Sequence, residues 1–163
     1  MNSQGRLIAR FTENLPAGTL EWIGLRPARK EAMQTVEHVI ALEGLGLKGD
    51  RRCHGSPGSA RQVTLISAEH LDLIAQFMGR DQVPVELLRR NLLVSGINLY
   101  ALRHQAFRIG EAEFIATAHC HPCSRMESAL GEGAVAAMLG YGGFCAKITK
   151  TGLIRTGDKI EKI

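Results

Sequence analysis

Several side chains that can do chemistry lie within one short stretch, His119-Cys120-His121-Pro122-Cys123-Ser124-Arg125. A strand-like run, Glu113 to Thr117, precedes this stretch, and a helix-like run from about Met126 to Leu139 follows it, with Ser124 placed to cap the helix. Its three glycines, at 131, 133 and 140, are expected to leave this helix weak or broken. A cysteine at the N-terminal end of a helix, with an arginine nearby, is favoured as the thiolate. Thiolate is both a nucleophile and a soft metal ligand, so Cys123 is the first candidate catalytic residue.

Two other interpretations of this stretch remain open. Cys120 and Cys123 form a C-x-x-C motif, which is typical of thiol-disulfide oxidoreductases when it lies in a thioredoxin-like βαβ unit, but the surroundings here are rich in strands. The second interpretation is a zinc-stabilised binding domain, although structural zinc sites prefer two separated ligand pairs. Its ligands would come from His119, Cys120, His121 and Cys123, with Cys53 and His54 available to complete a set.

A glycine-rich segment, residues 44–59, is the second candidate for a functional element. Its glycines alternate with Asp50, Arg51, Arg52 and His54, which suits a loop whose backbone and side chains close on an anion. So much glycine predicts no regular structure over this segment. The alternative is a mobile surface loop without a ligand.

The charge balance favours small anionic ligands over nucleic acid. The chain of 163 residues has a net charge of +4, with 14 arginines against 6 lysines. Planar guanidinium groups suit phosphates and carboxylates, but the excess of charge is too small and too scattered to indicate a nucleic-acid partner. Residues 1–16 lack the apolar core of a signal peptide and no run is long enough to span a membrane. We therefore expect a cytoplasmic protein with no membrane partner.

The four cysteines are expected to be free in a reducing compartment, with metal, redox or packing roles. Cys145 lies in a strand-like run and is most simply a small buried hydrophobe. Cys53, next to His54, can be either reactive or inert.

Short strands dominate the predicted secondary structure. An amphipathic helix follows Ser67 and ends at Gly79, and residues 1–17 form a loose arm or an edge strand. Strands are predicted at 19–25, 36–42, 61–67, 91–95, 106–109, 113–117, 144–150 and 159–163. This pattern predicts one domain over 1–163, mainly β with peripheral helices (α+β), built as a small barrel or sandwich.

Taken in order, these motifs resemble the MOSC domain, named from the C-terminal part of molybdenum cofactor sulfurase. The resemblance runs from about Val36 to Ile163. It rests on Gly44-Leu-Gly-Leu-Lys-Gly-Asp-Arg51, Arg61-Gln-Val-Thr-Leu-Ile-Ser67, Arg89-Arg-Asn-Leu-Leu-Val-Ser-Gly-Ile-Asn-Leu99, His121-Pro-Cys123 and Gly152-Leu-Ile-Arg-Thr-Gly-Asp158. The family implies a closed β-barrel of about seven strands with helices at its periphery.

The resemblance also implies roles for individual residues. The signature cysteine of the family falls on Cys123, whose sulfur would coordinate molybdenum in members that bind the molybdenum cofactor. Asp50, Arg51, Arg89, Asn91 and His121 would line the cofactor site. Arg61 and Arg125 are added for their charge and their positions at a strand end or in a loop. Possible accessory residues are Cys120, His54 and His119.

Two activities follow from the resemblance. The first is reduction of N-hydroxylated small molecules at a molybdopterin-type cofactor, with electrons from a separate donor protein, as in the mitochondrial amidoxime-reducing component. The second is a sulfur carrier or transferase that holds a persulfide on Cys123 and receives its sulfur from a cysteine desulfurase. The pyridoxal phosphate of the sulfurase belongs to a separate domain, so none is expected in this chain.

Overall fold

The computed structural model describes residues 2–163, which form short strands and few helices. The helices are α1 (Ser3–Ala9), α2 (Ala68–Phe77), α3 (Ser124–Leu130) and α4 (Ala134–Met138), and 3-10 turns span Arg51–His54, Val85–Leu88 and Leu99–Leu102. The strands are β1 (Gly18–Leu25), β2 (Gln34–Val36), β3 (His38–Leu42), β4 (Gly46–Leu47), β5 (Val63–Ser67), β6 (Leu92–Ser95), β7 (Ala106–Ile109), β8 (Ala112–His119), β9 (Phe144–Lys150), β10 (Gly152–Arg155) and β11 (Lys159–Lys162).

Seven of these strands close into a barrel. Its order is β1-β6-β5-β9-β8-β7-β11, and pairing of β11 with β1 completes the ring. All neighbours are antiparallel except β5 and β6, which run parallel because α2 and the turn Val85–Leu88 return the chain between them. Strand β2 extends the sheet beyond β1, and β10, β3 and β4 form a separate small sheet. The predicted closed barrel of about seven strands with peripheral helices is confirmed.

Two apolar clusters stabilise this architecture. The first fills the barrel and includes Leu20, Leu65 and the ring pair Phe107 and Phe114, whose centroids lie 5.2 Å apart. The second lies outside the barrel, where α2, α3 and α4 pack on the outer side of the sheet through residues such as Ile66, Ile74, Leu88, Met126 and Leu130. The second cluster fixes the start of α3, and therefore the position of Cys123, against the barrel.

The N-terminal residues form neither a loose arm nor an edge strand. They begin with helix α1, which the Asn2 side chain caps by accepting a hydrogen bond from the Gly5 amide at 2.8 Å. The Gln105 side chain donates to the Gly5 carbonyl at 2.7 Å, and Lys162 donates to the Thr12 hydroxyl at 3.0 Å. These long-range contacts tie the segment to the barrel and could not be inferred from its weak local pattern.

Three further element predictions were wrong in detail. The single strand predicted at 36–42 is two strands, β2 and β3, which belong to different sheets. Segment 44–59, predicted as irregular, contains β4 and the turn Arg51–His54, and residues 151–158, where no strand was predicted, contain β10. The expectation that glycines weaken or break the helix from about Met126 to Leu139 is confirmed, because it is divided into α3 and α4 where Gly131 and Gly133 adopt positive φ angles of 103° and 90°.

None of the helices in residues 2–163 has the length and apolar character needed to cross a membrane.

Candidate functional site

A cleft of about 680 Å³ opens beside the barrel, where five segments of the chain meet. These are the residues after β1, the turn Arg51–His54, the start of β5, the residues before β6 and the start of α3. Cys123 lines this cleft together with eight arginines, which are Arg26, Arg29, Arg51, Arg52, Arg61, Arg89, Arg90 and Arg125. Convergence of separate segments thus gathers most of the chain's arginines around one thiol.

The Cys123 thiol is exposed and unused by the fold. Cys123 is the N-cap residue of α3, with φ −137° and ψ 175°, and its side chain makes no capping hydrogen bond. Its carbonyl instead accepts from the Met126 amide at 2.8 Å. Ser124, predicted as the cap, is the first residue of the helix, because Cys123 already has the extended conformation of a cap. The sulfur therefore remains available to a ligand in the cleft.

The arginines of the cleft fall into two groups. Five, which we call the anchored arginines, use their guanidinium groups within the fold: Arg26, Arg52, Arg61, Arg89 and Arg90. Three, which we call the open arginines, have no side-chain hydrogen bond or ion pair to any of residues 2–163: Arg29, Arg51 and Arg125. Only the open arginines keep all their donors for a ligand.

The crowding of guanidinium groups creates a strong positive potential. Burial, followed by the charges of Arg26, Arg51 and Arg125, lowers the pKa of Arg89. The Arg89 guanidinium is held by the backbone carbonyls of Glu31 and Ala28, which are acceptors without a full charge. An anion that entered the cleft would relieve this repulsion, so the cleft is suited to phosphate or a similar group.

Asp50 and Asn91 lie beneath the cleft, where both are buried. The Arg26 side chain donates two hydrogen bonds to the Asp50 carboxylate, one from Nε at 3.1 Å and one from Nη2 at 3.0 Å. The Asp50 carboxylate also accepts from the Asn91 side chain at 2.9 Å and from the Arg52 amide at 2.9 Å. Asn91 in turn accepts from the Thr64 hydroxyl at 3.1 Å. This network joins β1, β5, the start of β6 and the turn Arg51–His54, and so sets the shape of the cleft.

The contacts of Asp50 keep its carboxyl group ionised. Burial alone would raise the pKa, but the hydrogen bonds and charge of Arg26, with the amides of Arg26 and Arg52, outweigh it and lower the pKa below 3.8. The Asp50 carboxylate therefore balances the positive charge of Arg26. It does not balance the charges of the open arginines, which line the cleft above it.

Arg90 is buried, and its side chain hydrogen-bonds to the backbone of three separate residues. Its guanidinium donates to the carbonyls of Gly142 at 2.8 Å, Leu88 at 2.9 Å and Cys120 at 3.1 Å. It thus connects the segment before β6 with the stretch that contains Cys123. Burial lowers its pKa, with the neighbouring sulfurs opposing this effect.

Three predicted site residues face a different cavity. His119, Cys120 and His121 line a second cavity of about 230 Å³, together with Tyr100, Pro122 and glycines 140, 142 and 143. The His119 ring lies 4.9 Å from Tyr100 and 5.9 Å from His121, measured between ring centroids. Burial, then the charges of Arg103 and His121, lower the pKa of His119. His54, by contrast, lies at the cleft with Cys123.

The structure brings together Cys123, Arg51, Arg61, Arg89, Arg125 and His54 from the predicted set. Arg52, which was expected to close on an anion with the glycine-rich segment, also lines the cleft, whereas sequence reasoning missed Arg26, Arg29 and Arg90. A signal was present, since Arg26-Pro-Ala-Arg29 directly follows β1, and Arg90 adjoins the predicted residues Arg89 and Asn91.

The geometry does not favour the zinc or the C-x-x-C alternative. Within residues 2–163, no group of three or more His, Cys, Asp and Glu side chains is placed to hold a metal ion. All four cysteines are free thiols, with Cys123 exposed and Cys120 buried. The Cys53 thiol donates to the Leu47 carbonyl at 3.0 Å, and burial, followed by the charge of Asp50, raises its pKa. Cys53 is therefore a structural residue.

Solved structures show the same fold. The YuaD protein from Bacillus subtilis superposes with a TM-score of 0.75 at 22% identity, covering 89% of this chain and 94% of that protein. YiiM from Geobacillus stearothermophilus gives a TM-score of 0.71 at 14% identity, covering 90% of this chain and 75% of that protein. YiiM from Escherichia coli gives a TM-score of 0.66 at 18% identity, covering 89% of this chain and 69% of that protein.

Comparison with curated proteins gives no match. The family model described as the MOSC domain matches residues 50–161, a range that contains Cys123 and all the cleft arginines except Arg26 and Arg29. This match confirms the family that the sequence motifs predicted. The chain therefore belongs to the MOSC domain family.

Proposed function

We propose that this protein binds a molybdenum cofactor in the arginine-lined cleft and reduces an N-hydroxylated small molecule there. The observation on which the proposal rests is the exposed Cys123 thiol, which shares its cleft with three open arginines. A soft sulfur ligand and several unpaired guanidinium groups are what a metal-sulfur centre with a pterin phosphate requires.

The residues present fit such a group in size and chemistry. The cleft volume of about 680 Å³ falls within the range of cofactor and ligand sites. Cys123 would hold molybdenum through its sulfur, and Arg29, Arg51 and Arg125 would bind the phosphate. When bound, the cofactor supplies the metal-centred redox chemistry, and a separate protein supplies the electrons.

The chain's own residues have two tasks in this proposal. The open arginines bind and orient anionic groups, because guanidinium forks form bidentate hydrogen bonds to phosphate oxygens. The anchored arginines, with Asp50 and Asn91 beneath them, hold the walls at fixed separation, so the site is formed before any ligand enters. Such preorganisation lowers the entropy cost of binding.

The experiment is to produce the protein in a host that makes the cofactor, and to measure bound molybdenum, pterin and reduction of an N-hydroxylated test compound with a chemical electron donor. We expect near-stoichiometric metal and pterin, and a Cys123→Ser variant without turnover. Cys53→Ser is the matched control and should retain turnover, since the Cys53 thiol donates to the Leu47 carbonyl and does not line the cleft. Purified protein that lacks both metal and pterin under these conditions would contradict the proposal.

A second function, persulfide transfer, is favoured by the same exposed thiol and the positive charge around it. Guanidinium groups would stabilise the anionic outer sulfur of a Cys123 persulfide. Incubation with a cysteine desulfurase and cysteine should then add one sulfur atom to the mass of the wild type and none to Cys123→Ser. No mass gain in the wild type excludes this second function.

A further inference from the structure

We propose that a second groove, lined by Glu21, Trp22, Glu37 and Arg155 and called the outer groove below, binds a free amino acid with an apolar side chain. The groove has a volume of about 610 Å³ and lies between β1, β2 and the small sheet. It shares no lining residue with the arginine-lined cleft, so its ligand does not depend on the function proposed above.

The indole ring of Trp22 is held in place on the outer groove. Its Nε1 donates to the Thr35 hydroxyl at 3.1 Å, and Thr35 lies opposite Gly24 in the antiparallel pair β1–β2. A Cβ atom at Gly24 would lie 1.9 Å from the indole Cη2, so the ring occupies space that only a glycine leaves free. Trp22 is half-buried and lines the groove. The groove therefore has an aromatic surface that is ordered before a ligand binds.

A β-bulge places Glu21 in the same groove as Trp22. Neighbouring residues of a regular strand point to opposite faces of the sheet. The register of β1 against β6 shifts between Leu20 and Trp22, which leaves Glu21 as the extra residue of a bulge. The Ser95 hydroxyl donates to Oε1 of Glu21, and Oε2 has no hydrogen bond to any of residues 2–163. Glu21 is exposed, so Oε2 is available to a ligand.

Glu37 and Arg155 bring opposite charges to the outer groove without pairing. Their segments are adjacent, because the Thr156 amide donates to the Glu37 carbonyl at 2.9 Å. Within the described residues, 2–163, neither charged group makes an ion pair or a side-chain hydrogen bond. The cross-strand pair Arg108 and Glu161, by contrast, approaches to 2.6 Å. The two charges of the groove are therefore left for a ligand that carries both signs.

An amino acid matches this set of groups. Its ammonium group would bind between Glu21 and Glu37 and against the Trp22 ring, because carboxylates and an aromatic face both attract a cation. Its carboxylate would accept hydrogen bonds from the Arg155 guanidinium. An apolar side chain would pack on Val36, which is half-buried in the wall of the groove, and on the indole ring.

The charges of the outer groove favour a zwitterion over an ion of one sign. An anion without an ammonium group would meet two carboxylates, and a cation without a carboxylate would leave Arg155 unpaired. The cleft differs, because eight arginines line it and no carboxylate does. Phosphate is therefore expected to bind in the cleft and not in the outer groove.

The test uses Trp22 as its reporter, because it is the single tryptophan of the chain. With L-leucine as the probe, we expect a saturable change in tryptophan fluorescence and a matching affinity by calorimetry. Isocaproate lacks the amino group of leucine and isoamylamine lacks its carboxylate. Each should bind at least about tenfold more weakly than L-leucine, because contacts to a charged group are lost. Inorganic phosphate should leave the fluorescence unchanged.

Two substitutions at exposed positions separate the two charged contacts. Arg155→Gln should weaken L-leucine binding about tenfold and leave isoamylamine binding unchanged, since isoamylamine has no carboxylate. Glu37→Gln should weaken L-leucine binding by a similar factor and leave isocaproate binding no weaker. Arg51→Gln, in the cleft, is the matched control and should bind L-leucine as the wild type does.

Three results would overturn the proposal. The first is the absence of any saturable response to L-leucine in both fluorescence and calorimetry. The second is isocaproate or isoamylamine binding as tightly as L-leucine, which would show that the groove does not read both charges. The third is unchanged L-leucine affinity in Arg155→Gln or Glu37→Gln. None of these measurements needs a cofactor, so each result is independent of the metal and pterin content of the protein.

Discussion

The open and the anchored arginines line the same cleft, yet they differ in what their guanidinium groups already hold. Arg26 is paired with a buried carboxylate and Arg90 with three backbone carbonyls, whereas Arg51 and Arg125 have no side-chain partner within residues 2–163. The first group therefore contributes to the free energy of folding, whereas the donors of the second group are left for the anion that we propose. Position in the cleft alone does not distinguish the two roles.

The largest effect is expected from Asp50→Ala. Asp50 is 1% exposed, and its removal leaves the Arg26 guanidinium and the Asn91 amide without their acceptor. Loss of one partner of a buried ion pair should lower the free energy of unfolding by about 3–5 kcal/mol, measured by urea denaturation. Asp72→Ala, at an exposed position on α2, is the control and should change it by less than about 0.5 kcal/mol. Equal stability of the two variants would show that the network beneath the cleft is not structural.

The second-largest effect is expected from Arg90→Met, which should lower the free energy of unfolding by about 3 kcal/mol. The substitution keeps an apolar side chain of similar length but leaves the carbonyls of Gly142, Leu88 and Cys120 without the donors they have in the folded state. The same urea experiment measures the change, with exposed Arg155→Met as the control. An Arg90→Met protein as stable as the wild type would mean that water replaces the guanidinium without cost.

A smaller effect on the free energy of unfolding is expected when the pH is lowered. Asp50 has a lowered pKa in the folded state, so its ionised form stabilises the fold at pH values above its unfolded pKa, close to 3.8. This contribution is lost as the pH falls through 3.8 towards the lower pKa of the folded protein. The difference in free energy of unfolding between wild type and Asp50→Asn should therefore shrink as the pH is lowered below about 4. A difference that is constant from neutral pH to pH 3 would contradict the assigned role of this carboxylate.

The smallest effect on stability is expected from Arg51→Gln/Arg125→Gln. These open arginines have no side-chain hydrogen bond or ion pair to the described residues, 2–163, so the free energy of unfolding should change by less than about 0.5 kcal/mol. Affinity for inorganic phosphate, measured by calorimetry, should nevertheless fall about tenfold, because two charged donors are lost. Arg155→Gln, outside the cleft, should leave phosphate binding unchanged. Loss of stability without loss of phosphate affinity would reverse the division of roles.

Part of the fold could be predicted from local pattern, because strands such as β6 and β7 alternate and are followed directly by glycine. The hairpin β7–β8 and the α2 helix after Ser67 are examples. What could not be predicted depends on contacts between distant parts of the chain. Helix α1 depends on Gln105 and Lys162, and β10 is a strand because β3 lies beside it.

The same distinction between local pattern and distant contacts applies to the candidate site. Cys123 and most of the cleft arginines could be found from residue type and position, because an exposed thiol before a helix is a local feature. Nothing local shows that Asp50 and Asn91 lie under the cleft, or that Cys120 contacts Arg61, which is 59 positions away in the chain. Residue types were predictable, but their partners required the fold.

The most direct test of the account compares the two cysteines of the Cys120-x-x-Cys123 stretch by the molybdenum-to-protein ratio of their serine variants, both made in a cofactor-producing host. Cys123 is exposed at the cleft and Cys120 is buried against Arg61. We expect Cys123→Ser to lose most of its molybdenum and Cys120→Ser to keep it. Molybdenum retained in Cys123→Ser but lost in Cys120→Ser would contradict it.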